Sequence, residues 1–365
     1  MTLLIYIVSF GITFCISMCL TPLSIRFARR LDIQDHPGKR KIHTNATPLL
    51  GGLAIYISFI AAVGGGLIFL QLFGKSGFVI EHFHLLYKQL PRLHSVLPKL
   101  VYILGGATLI SIVGLIDDIK KGVEFSAKIK LVFQILAAII AVYGGVRTSF
   151  LPTDWLNILI SIVWIVGICN AFNFLDNMDG LSCGIAGIIG VFFFAVSASQ
   201  GQFFSALIFL VMSGSVFGFL RYNIAPARIF MGDTGSLFIG YLFGTLAITT
   251  SYVIPESSSL VPIVFPIVVL SVPLYDTFSV MIIRILQHKP IYRGDKQHLS
   301  HRLVDVGMSQ SQAVVLIYLI CICVGIGATF LPTASFIGSL AILAQTMLIY
   351  IVVTWLLNSN KRRKH

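Results

Sequence analysis

The sequence predicts an all-α integral membrane protein with about eleven transmembrane helices, its N-terminus outside and its C-terminus in the cytoplasm. Hydrophobic residues make up 56% of the 365 residues and charged residues only 11%, whereas soluble domains contain about 25% charged residues. The mean hydropathy of +0.92 agrees with this composition. These values exclude a soluble two-domain protein of the same length.

Apolar segments recur along the whole chain at the length of roughly 20 residues that a bilayer-spanning helix requires. The gap at 74–99 is expected to form an interfacial helix or a short ordered loop. No internal repeat is visible, so we predict one polytopic domain over residues 1–365. The predicted spans are 2–25, 49–73, 100–116, 129–146, 155–170, 181–199, 202–220, 235–252, 260–283, 311–331 and 335–357.

Basic residues are distributed unequally between alternate gaps. Of the 26 Lys and Arg residues, 21 lie on one predicted side and five on the other. The positive-inside rule assigns the richer side to the cytoplasm. Because the net charge of +12 is spread over several gaps and forms no single basic face, we expect no nucleic-acid partner. The predicted cytoplasmic loops, which we expect to be catalytic, are 26–48, 117–128, 171–180, 221–234 and 284–310.

Two adjacent acids, Asp117 and Asp118, end the third predicted span. A negative charge at a helix C-terminus opposes the helix dipole, so ordinary helix chemistry would place Lys or Arg there. We interpret the pair as a metal site, a general base or both. Lys120 and Lys121 follow directly.

Oxygen-bearing side chains recur at every third position after the fifth span, at Asn170, Asn173, Asp176 and Asp179. Hard cations take oxygen ligands, and the gap contains no Lys or Arg. We therefore expect a bound cation or a cationic substrate contact; a polar turn is the alternative. The spacing is not that of an EF-hand.

Two glycine-containing segments are candidate phosphate sites. The first combines Arg40, Lys41 and His43 with Gly51-Gly52 at the start of a span, where glycines would allow backbone N–H groups to approach an anion. A positive-inside loop is the alternative. In the second, Asp233 lies between Gly232 and Gly235 at a helix start, which favours phosphate binding or an N-cap.

Three further features complete the candidate site. Phe230 precedes Asp233 and is a candidate base-stacking ring, with core packing as the alternative. His298, His301 and Arg302 favour phosphate or sugar binding, because no third ligand for Zn²⁺ lies beside the histidines. Asp276 lies within a span, where an acid is either functional or paired inside the bundle.

In this order, the motifs resemble those of the polyprenyl-phosphate N-acetylhexosamine-1-phosphate transferase family, over about residues 35–302. The resemblance implies that a lipid phosphate attacks the β-phosphorus of a UDP-sugar, UMP leaves, and a lipid-linked pyrophosphoryl sugar forms. It implies Mg²⁺ as cofactor, with Mn²⁺ as a substitute. The expected substrates are a UDP-N-acetylhexosamine and undecaprenyl phosphate, and a homodimer is compatible with the sequence.

The resemblance also implies roles for individual residues. Asp233 would bind the metal with help from Asn173, while Asp117, Asp118 and Asp176 would be catalytic, with Asp117 the favoured base. The implied substrate-binding residues are Arg40, Lys41, His43, Lys121, Asn170, Asp179, Phe230, His298, His301 and Arg302.

The sugar prediction depends on the last cytoplasmic loop. Hexosamine-1-phosphate members often carry His-Leu-His-His there, and this chain has Ser300 at the third position. We expect UDP-GlcNAc or a close UDP-N-acetylhexosamine, with phospho-MurNAc-pentapeptide transfer as the alternative. A transporter or lipid flippase is the remote alternative, disfavoured because it would place its acids near the bilayer midplane. The expected location is the bacterial inner membrane, with the site on the cytoplasmic face.

The predicted orientation can be tested by thiol labelling in a background that lacks the six native cysteines. Cysteines introduced at Lys121, Lys289 or Lys361 should be protected from an impermeant reagent in intact cells, because these positions are predicted to be cytoplasmic. A cysteine at Lys88 should react. The reverse labelling pattern would contradict both the orientation and the cytoplasmic location of the site.

Overall fold

The computed structural model describes residues 2–35, 46–120, 126–250, 264–289 and 297–363, and these residues are almost entirely helical. Short loops connect the helices, and the strands of the described residues form one antiparallel pair, β1 (Gln34–Asp35) and β2 (Thr47–Pro48). The helices are α1 (Thr2–Arg30), α2 (Gly51–Phe73), α3 (Gly77–His82), α4 (His84–Ile119), α5 (Ala127–Tyr143), α6 (Asp154–Leu175), α7 (Leu181–Ser199), α8 (Phe203–Asn223), α9 (Gly232–Thr249), α10 (Phe265–Val269), α11 (Ser271–Leu286), α12 (Leu299–Asp305), α13 (Gln310–Thr329) and α14 (Phe336–Arg363).

Eight helices of the described chain are long and apolar enough to cross a membrane: α1, α2, α4, α6, α7, α8, α13 and α14. This confirms the prediction of an all-α membrane protein. The other three predicted spans correspond to α5, α9 and the consecutive helices α10 and α11, which do not meet the same length and hydropathy criteria. Eleven crossings and the orientation of the termini therefore stay predictions.

The gap at 74–99 is helical. It contains α3 and the first part of α4, which continues without interruption to Ile119 over 36 residues. At about 1.5 Å per residue such a helix is about 54 Å long, more than the roughly 30 Å hydrocarbon core requires. Val79 of α3 and Leu86 of α4 are buried in a small apolar cluster with Tyr6 of α1 and Phe203 of α8.

Helix α9 is the centre of the bundle. Every residue from Thr234 to Ala247 is buried, and the helix packs against α2, α4 and α6. Phe243 stacks on Phe172 of α6, with the ring centroids 5.4 Å apart, and on Phe193 of α7 at 6.0 Å. The bundle therefore fixes α9 from several sides, and its N-terminus has a defined position.

Two glycines allow the neighbouring helices to approach the start of α9. A Cβ atom on Gly52 of α2 would lie 2.1 Å from the backbone nitrogen of Gly235, and one on Gly114 of α4 would lie 2.5 Å from that of Thr234. Real Cβ atoms essentially never come this close to backbone. At these two places the contacts of α2 and α4 with α9 are therefore made by backbone atoms.

This packing predicts that Gly52→Ala destabilises the protein, because the added methyl group meets backbone that cannot rotate away. Overpacking of this kind costs typically 1–3 kcal/mol, and the melting temperature in detergent should fall. The matched control is Gly64→Ala in the same helix, where a Cβ meets nothing within 4 Å; it should be neutral or stabilising. Equal melting temperatures for the two variants would contradict the close approach.

Candidate active site

The candidate site forms where the ends of several helices meet. The C-termini of α4 and α6 and the N-termini of α5 and α9 bring together Asp117, Asp118, Lys130, Asn173 and Asp233. These residues come from four helices. The structure thus brings together the Asp117-Asp118 pair, the three-residue repeat and the segment of Asp233, which the sequence analysis assigned to one site.

Asp118 caps the N-terminus of α9 from a distant part of the chain. Its Oδ1 accepts from the backbone N–H of Asp233 (2.9 Å), and its Oδ2 accepts from the backbone N–H (3.0 Å) and the hydroxyl (2.5 Å) of Thr234. The first N–H groups of a helix have no partner within the helix, and the N-cap residue Met231 supplies none. The acid that is unfavourable at the end of α4 is thus favourable at the start of α9.

Lys130, in the first turn of α5, lies between two carboxylates. Its Nζ is 2.6 Å from Oδ2 of Asp117, and it also donates to Oδ2 of Asp233. Both contacts are largely shielded, since the side chains of Lys130, Asp117 and Asp233 are 20%, 7% and 21% exposed. The carboxylates of Asp117 and Asp233 therefore converge on one positive charge.

Asn173 fixes the other oxygen of Asp233. Its side-chain Nδ2 donates to Oδ1 of Asp233 and to the hydroxyl of Ser236, both at 2.9 Å. Asp233 is the second residue of α9, so it is not the N-cap that the sequence left open. Its carboxylate points toward α5 and α6 and contacts Lys130 and Asn173.

The other members of the three-residue repeat have different surroundings. Asn170 forms a reciprocal amide pair with Gln134 of α5, at 2.5 and 3.3 Å. Asp179 accepts from the backbone N–H of Ala227 at 2.9 Å and so anchors the loop that leads to Phe230. Desolvation of the half-buried Asp176, with the negative charges of Asp233, Asp118 and Asp179, raises the pKa of Asp176 well above its usual range.

The predicted role of Gly51-Gly52 as part of an anion cradle does not fit the structure. The N–H of Gly51 donates to the carbonyl of Phe230 (3.0 Å) and that of Gly52 to the carbonyl of Met231 (2.8 Å). These donors are used to join α2 to the segment before α9, and the glycines are required for the close helix contact. The half-buried Phe230 lies in that segment.

The short helix α12 carries the last group of predicted residues. The hydroxyl of Ser300 donates to Oδ1 of Asn177 at 2.6 Å, which ties α12 to the loop containing Asp176. Nη2 of the buried Arg302 donates to the hydroxyl of Ser279 at 2.7 Å. Within the described chain, Nε of Arg302 is buried without a hydrogen-bond partner.

His298 and His301 lie side by side in the same segment, with their ring centroids 6.5 Å apart. His298 is buried and His301 is half-buried. Four predicted substrate-binding residues, namely Arg40, Lys41, His43 and Lys121, lie outside the described residues.

The donor set suits a magnesium ion better than a zinc ion. Among the described residues, no three His, Cys, Asp or Glu side chains are grouped as a metal site. Mg²⁺ is commonly held by one or two carboxylates, with water and substrate phosphates completing its coordination. Asp233 offers such a carboxylate with Asn173 beside it, and Asp117 lies across the Lys130 ammonium group from it.

Lys130 is the functional candidate that sequence reasoning missed. A positive charge in the first turn of a helix opposes the helix dipole, which is the same signal that identified Asp117 and Asp118 at a helix C-terminus. Applied to α5, this criterion selects Lys128 and Lys130, of which the structure places Lys130 between the two carboxylates. No comparable feature of the sequence identified Thr234 and Ser236 as site residues, since hydroxyl residues are common in the first turn of a helix.

Comparisons with known proteins identify relatives of this chain. Residues 100–251 match the model of glycosyl transferase family 4. A probable undecaprenyl-phosphate N-acetylglucosaminyl 1-phosphate transferase of Bacillus subtilis is 35% identical over 92% of this chain and 88% of its own length. A decaprenyl-phosphate N-acetylglucosaminephosphotransferase of Mycobacterium leprae is 31% identical, over 82% and 77%. A phospho-N-acetylmuramoyl-pentapeptide-transferase of Bacillus anthracis is 31% identical, over 66% and 74%.

The cap on α9 predicts that Asp118→Asn lowers the free energy of unfolding by about 1–3 kcal/mol, the cost of leaving a buried donor unsatisfied. The NH₂ group that replaces one carboxylate oxygen cannot accept, so at least one of the α9 donors loses its partner. Thermal unfolding in detergent measures the effect. Asp154→Asn, at an acid whose side chain is 79% exposed, is the control and should change stability by about 0.5 kcal/mol or less. An unchanged melting temperature for Asp118→Asn would contradict the capping role.

Proposed function

Because this chain belongs to glycosyl transferase family 4, among the polyprenyl-phosphate N-acetylhexosamine-1-phosphate transferases that its motifs predicted, we propose that it is an enzyme that transfers GlcNAc-1-phosphate from UDP-GlcNAc to undecaprenyl phosphate. The reaction releases UMP and forms the lipid-linked first sugar of a cell-envelope glycan. The names of the Bacillus subtilis and Mycobacterium leprae relatives support both the sugar and the class of acceptor.

The observation that carries this proposal is the convergence of Asp117 and Asp233 on the single positive charge of Lys130. Both substrates are polyanions, so their reaction requires concentrated positive charge and fixed geometry. Phosphoryl transfer depends mainly on positioning and electrostatic stabilisation. A divalent cation bound at the Asp233 carboxylate would bring this charge, and the helix ends supply the fixed geometry, because α9 is buried from Thr234 to Ala247 and its N-terminus is held by Asp118.

We assign Mg²⁺, replaceable by Mn²⁺, to Asp233 with Asn173 beside it. When bound, the metal would neutralise charge on the pyrophosphate of the donor. Asp117 is the proposed base that accepts a proton from the acceptor phosphate. Lys130 contacts both carboxylates, so the base and the metal-binding acid are adjacent. Asp118 acts by fixing the backbone of α9.

The remaining assignments concern the donor. Phe230 is proposed to stack on uracil, and the hydrogen bond that the Ala227 N–H donates to Asp179 supports this by anchoring the preceding loop. His298, His301 and Arg302 are assigned to the sugar and the pyrophosphate. The unpartnered Nε of Arg302 supports an anion there.

The location of the reaction follows from its substrates. UDP-sugars are cytosolic and the acceptor lipid lies in the bilayer, so the site belongs at the cytoplasmic face of the bacterial inner membrane. The described site residues lie at helix ends, whereas a transporter would place them near the middle of the spans. Eleven crossings with the N-terminus outside would put these ends on the cytoplasmic side.

Ser300 influences the choice of sugar only indirectly in this arrangement. It is 1% exposed and is hydrogen-bonded to Asn177, so its effect on the donor would pass through the loop at 176–179. Phospho-MurNAc-pentapeptide transfer is the second candidate, and the Bacillus anthracis relative favours it. That relative matches a smaller share of this chain than the Bacillus subtilis relative does.

The decisive assay measures UMP release by the purified protein with undecaprenyl phosphate and a panel of UDP-sugars. We expect UDP-GlcNAc, or another UDP-N-acetylhexosamine, to give the highest rate, and EDTA to abolish it. UDP-MurNAc-pentapeptide should be a poor donor. A rate with that donor equal to or above the rate with every UDP-N-acetylhexosamine would show that the assignment is wrong.

The variant Asp233→Asn tests the assignment of the metal in the same assay. The variant keeps the size of the side chain and loses the charge, so turnover should fall by at least about 100-fold. Near-normal Mg²⁺-dependent turnover in a folded Asp233→Asn variant would contradict the assignment of the metal to Asp233.

A further inference from the structure

Asp276 and His298 form a buried pair beside the site. Asp276 of α11 is 1% exposed and His298, just before α12, is 7% exposed. Oδ2 of Asp276 is 2.7 Å from Nδ1 of His298, and its Oδ1 accepts from the backbone N–H of Leu299 at 2.6 Å. Both carboxylate oxygens are therefore used by the first residues of one segment.

The pair determines which ring nitrogen of His298 carries a hydrogen. An ionised carboxylate can only accept, so Nδ1 must donate to it. In the neutral ring, Nε2 is then the acceptor. Within the described chain, Nε2 has no hydrogen-bond partner, and the ring lies 6.3 Å from that of Phe174, close to the oxygen-rich end of α6.

The same carboxylate also sets the position of α12. His298 is the N-cap residue of this seven-residue helix, but its side chain makes no capping bond. Asp276 supplies the missing acceptor. The bonds from Ser300 to Asn177 and from Arg302 to Ser279 hold the rest of the helix, so Asp276 fixes the end that carries His298.

Packing alone does not account for an acid at this place. Replacing a buried ion pair by apolar side chains is often neutral or stabilising, and the cap on Leu299 needs only Oδ1, so neither packing nor capping requires the contact between Oδ2 and His298. The other charged or titratable residues of these two helices are Tyr275 and Arg284 on α11 and His301, Arg302 and Asp305 on α12. None of them is hydrogen-bonded to either carboxylate oxygen of Asp276 in the described structure.

We propose that Asp276 is a positioning residue that holds His298 in the tautomer with the hydrogen on Nδ1, and so presents Nε2 to the donor substrate. The inference rests on the proposed transfer reaction. It assigns Asp276 a role in turnover that is exerted through His298 and not by contact with substrate.

The test uses Asp276→Asn in the full-length protein. The Asn oxygen can still accept from Leu299, so the cap on α12 is kept, but its NH₂ group now faces Nδ1 and forces the hydrogen onto Nε2. We expect kcat to fall by about 100-fold, within the range of a positioned acid or base, with little change in the melting temperature or the KM for the UDP-sugar. Tyr275→Phe, which removes the bond to Thr354 from the adjacent residue of α11, is the control and should keep kcat within twofold.

A double-mutant cycle separates action through His298 from an independent effect. His298→Gln should lower kcat as much as Asp276→Asn does, and the double variant should be no slower than His298→Gln alone. Multiplicative losses would show that Asp276 acts independently and would overturn the proposal. A loss of turnover that merely follows a loss of folded protein would do the same.

Asp276→Glu replaces the Asn variant if that variant does not fold. Glu retains two acceptor oxygens, so more than a tenth of the wild-type kcat should remain. A folded Asp276→Glu protein as slow as His298→Gln would contradict the proposal. Failure of both variants to fold would assign Asp276 a structural role and would also overturn it.

Histidine-selective ¹⁵N NMR in lipid bilayers gives a readout that does not depend on the reaction. The chain has nine histidines, and the signal absent in His298→Gln identifies His298. The wild type should show the hydrogen on Nδ1, and Asp276→Asn should show it on Nε2. If the wild type released no UMP from any UDP-sugar, the proposed function would fail while this measurement still tested the tautomer. The same tautomer in both proteins would refute the proposal itself.

Discussion

The cap that Asp118 places on α9 is the interaction on which the site depends. The first N–H groups of the helix have no partner within the helix, and Met231 provides no acceptor. Asp118 supplies two oxygens that accept three hydrogen bonds. Since Asp233 is the second residue of the same helix, the position of its carboxylate is determined by this cap.

The arrangement of charges around the N-terminus of α9 also depends on the position of Asp118. Asp117 is adjacent to Asp118 in the sequence and so is brought to the carboxylate of Asp233. The carboxylates of Asp117 and Asp233 are largely shielded from solvent and repel each other. The Lys130 ammonium group offsets this repulsion by contacting both. The helices α4, α5 and α9 are thereby coupled through one cluster, to which Asn173 adds α6.

Several residues of the site could be predicted from the sequence, because their charge is unfavourable at their position in the helix. Asp117 and Asp118 oppose the dipole of α4, which marked them as functional before any partner was visible. The partners themselves were not predictable, because the N-terminus of α9 lies 115 residues further along the chain. The break at Leu270 between α10 and α11 was missed because hydropathy does not distinguish one helix from two consecutive ones. Gly51-Gly52 was misinterpreted because glycine serves equally for anion binding and for close packing.

The contacts of Gly52 and Gly114 with α9 have a consequence for divergence within the family. Since backbone atoms meet at these two places, the separation of the helices there does not depend on the volume of any side chain. Substitutions elsewhere in the core can alter its packing without moving the donors that Asp118 caps. A relative that is 31 to 35% identical to this chain and has glycine at both places could therefore differ in core composition while the start of α9 keeps its position.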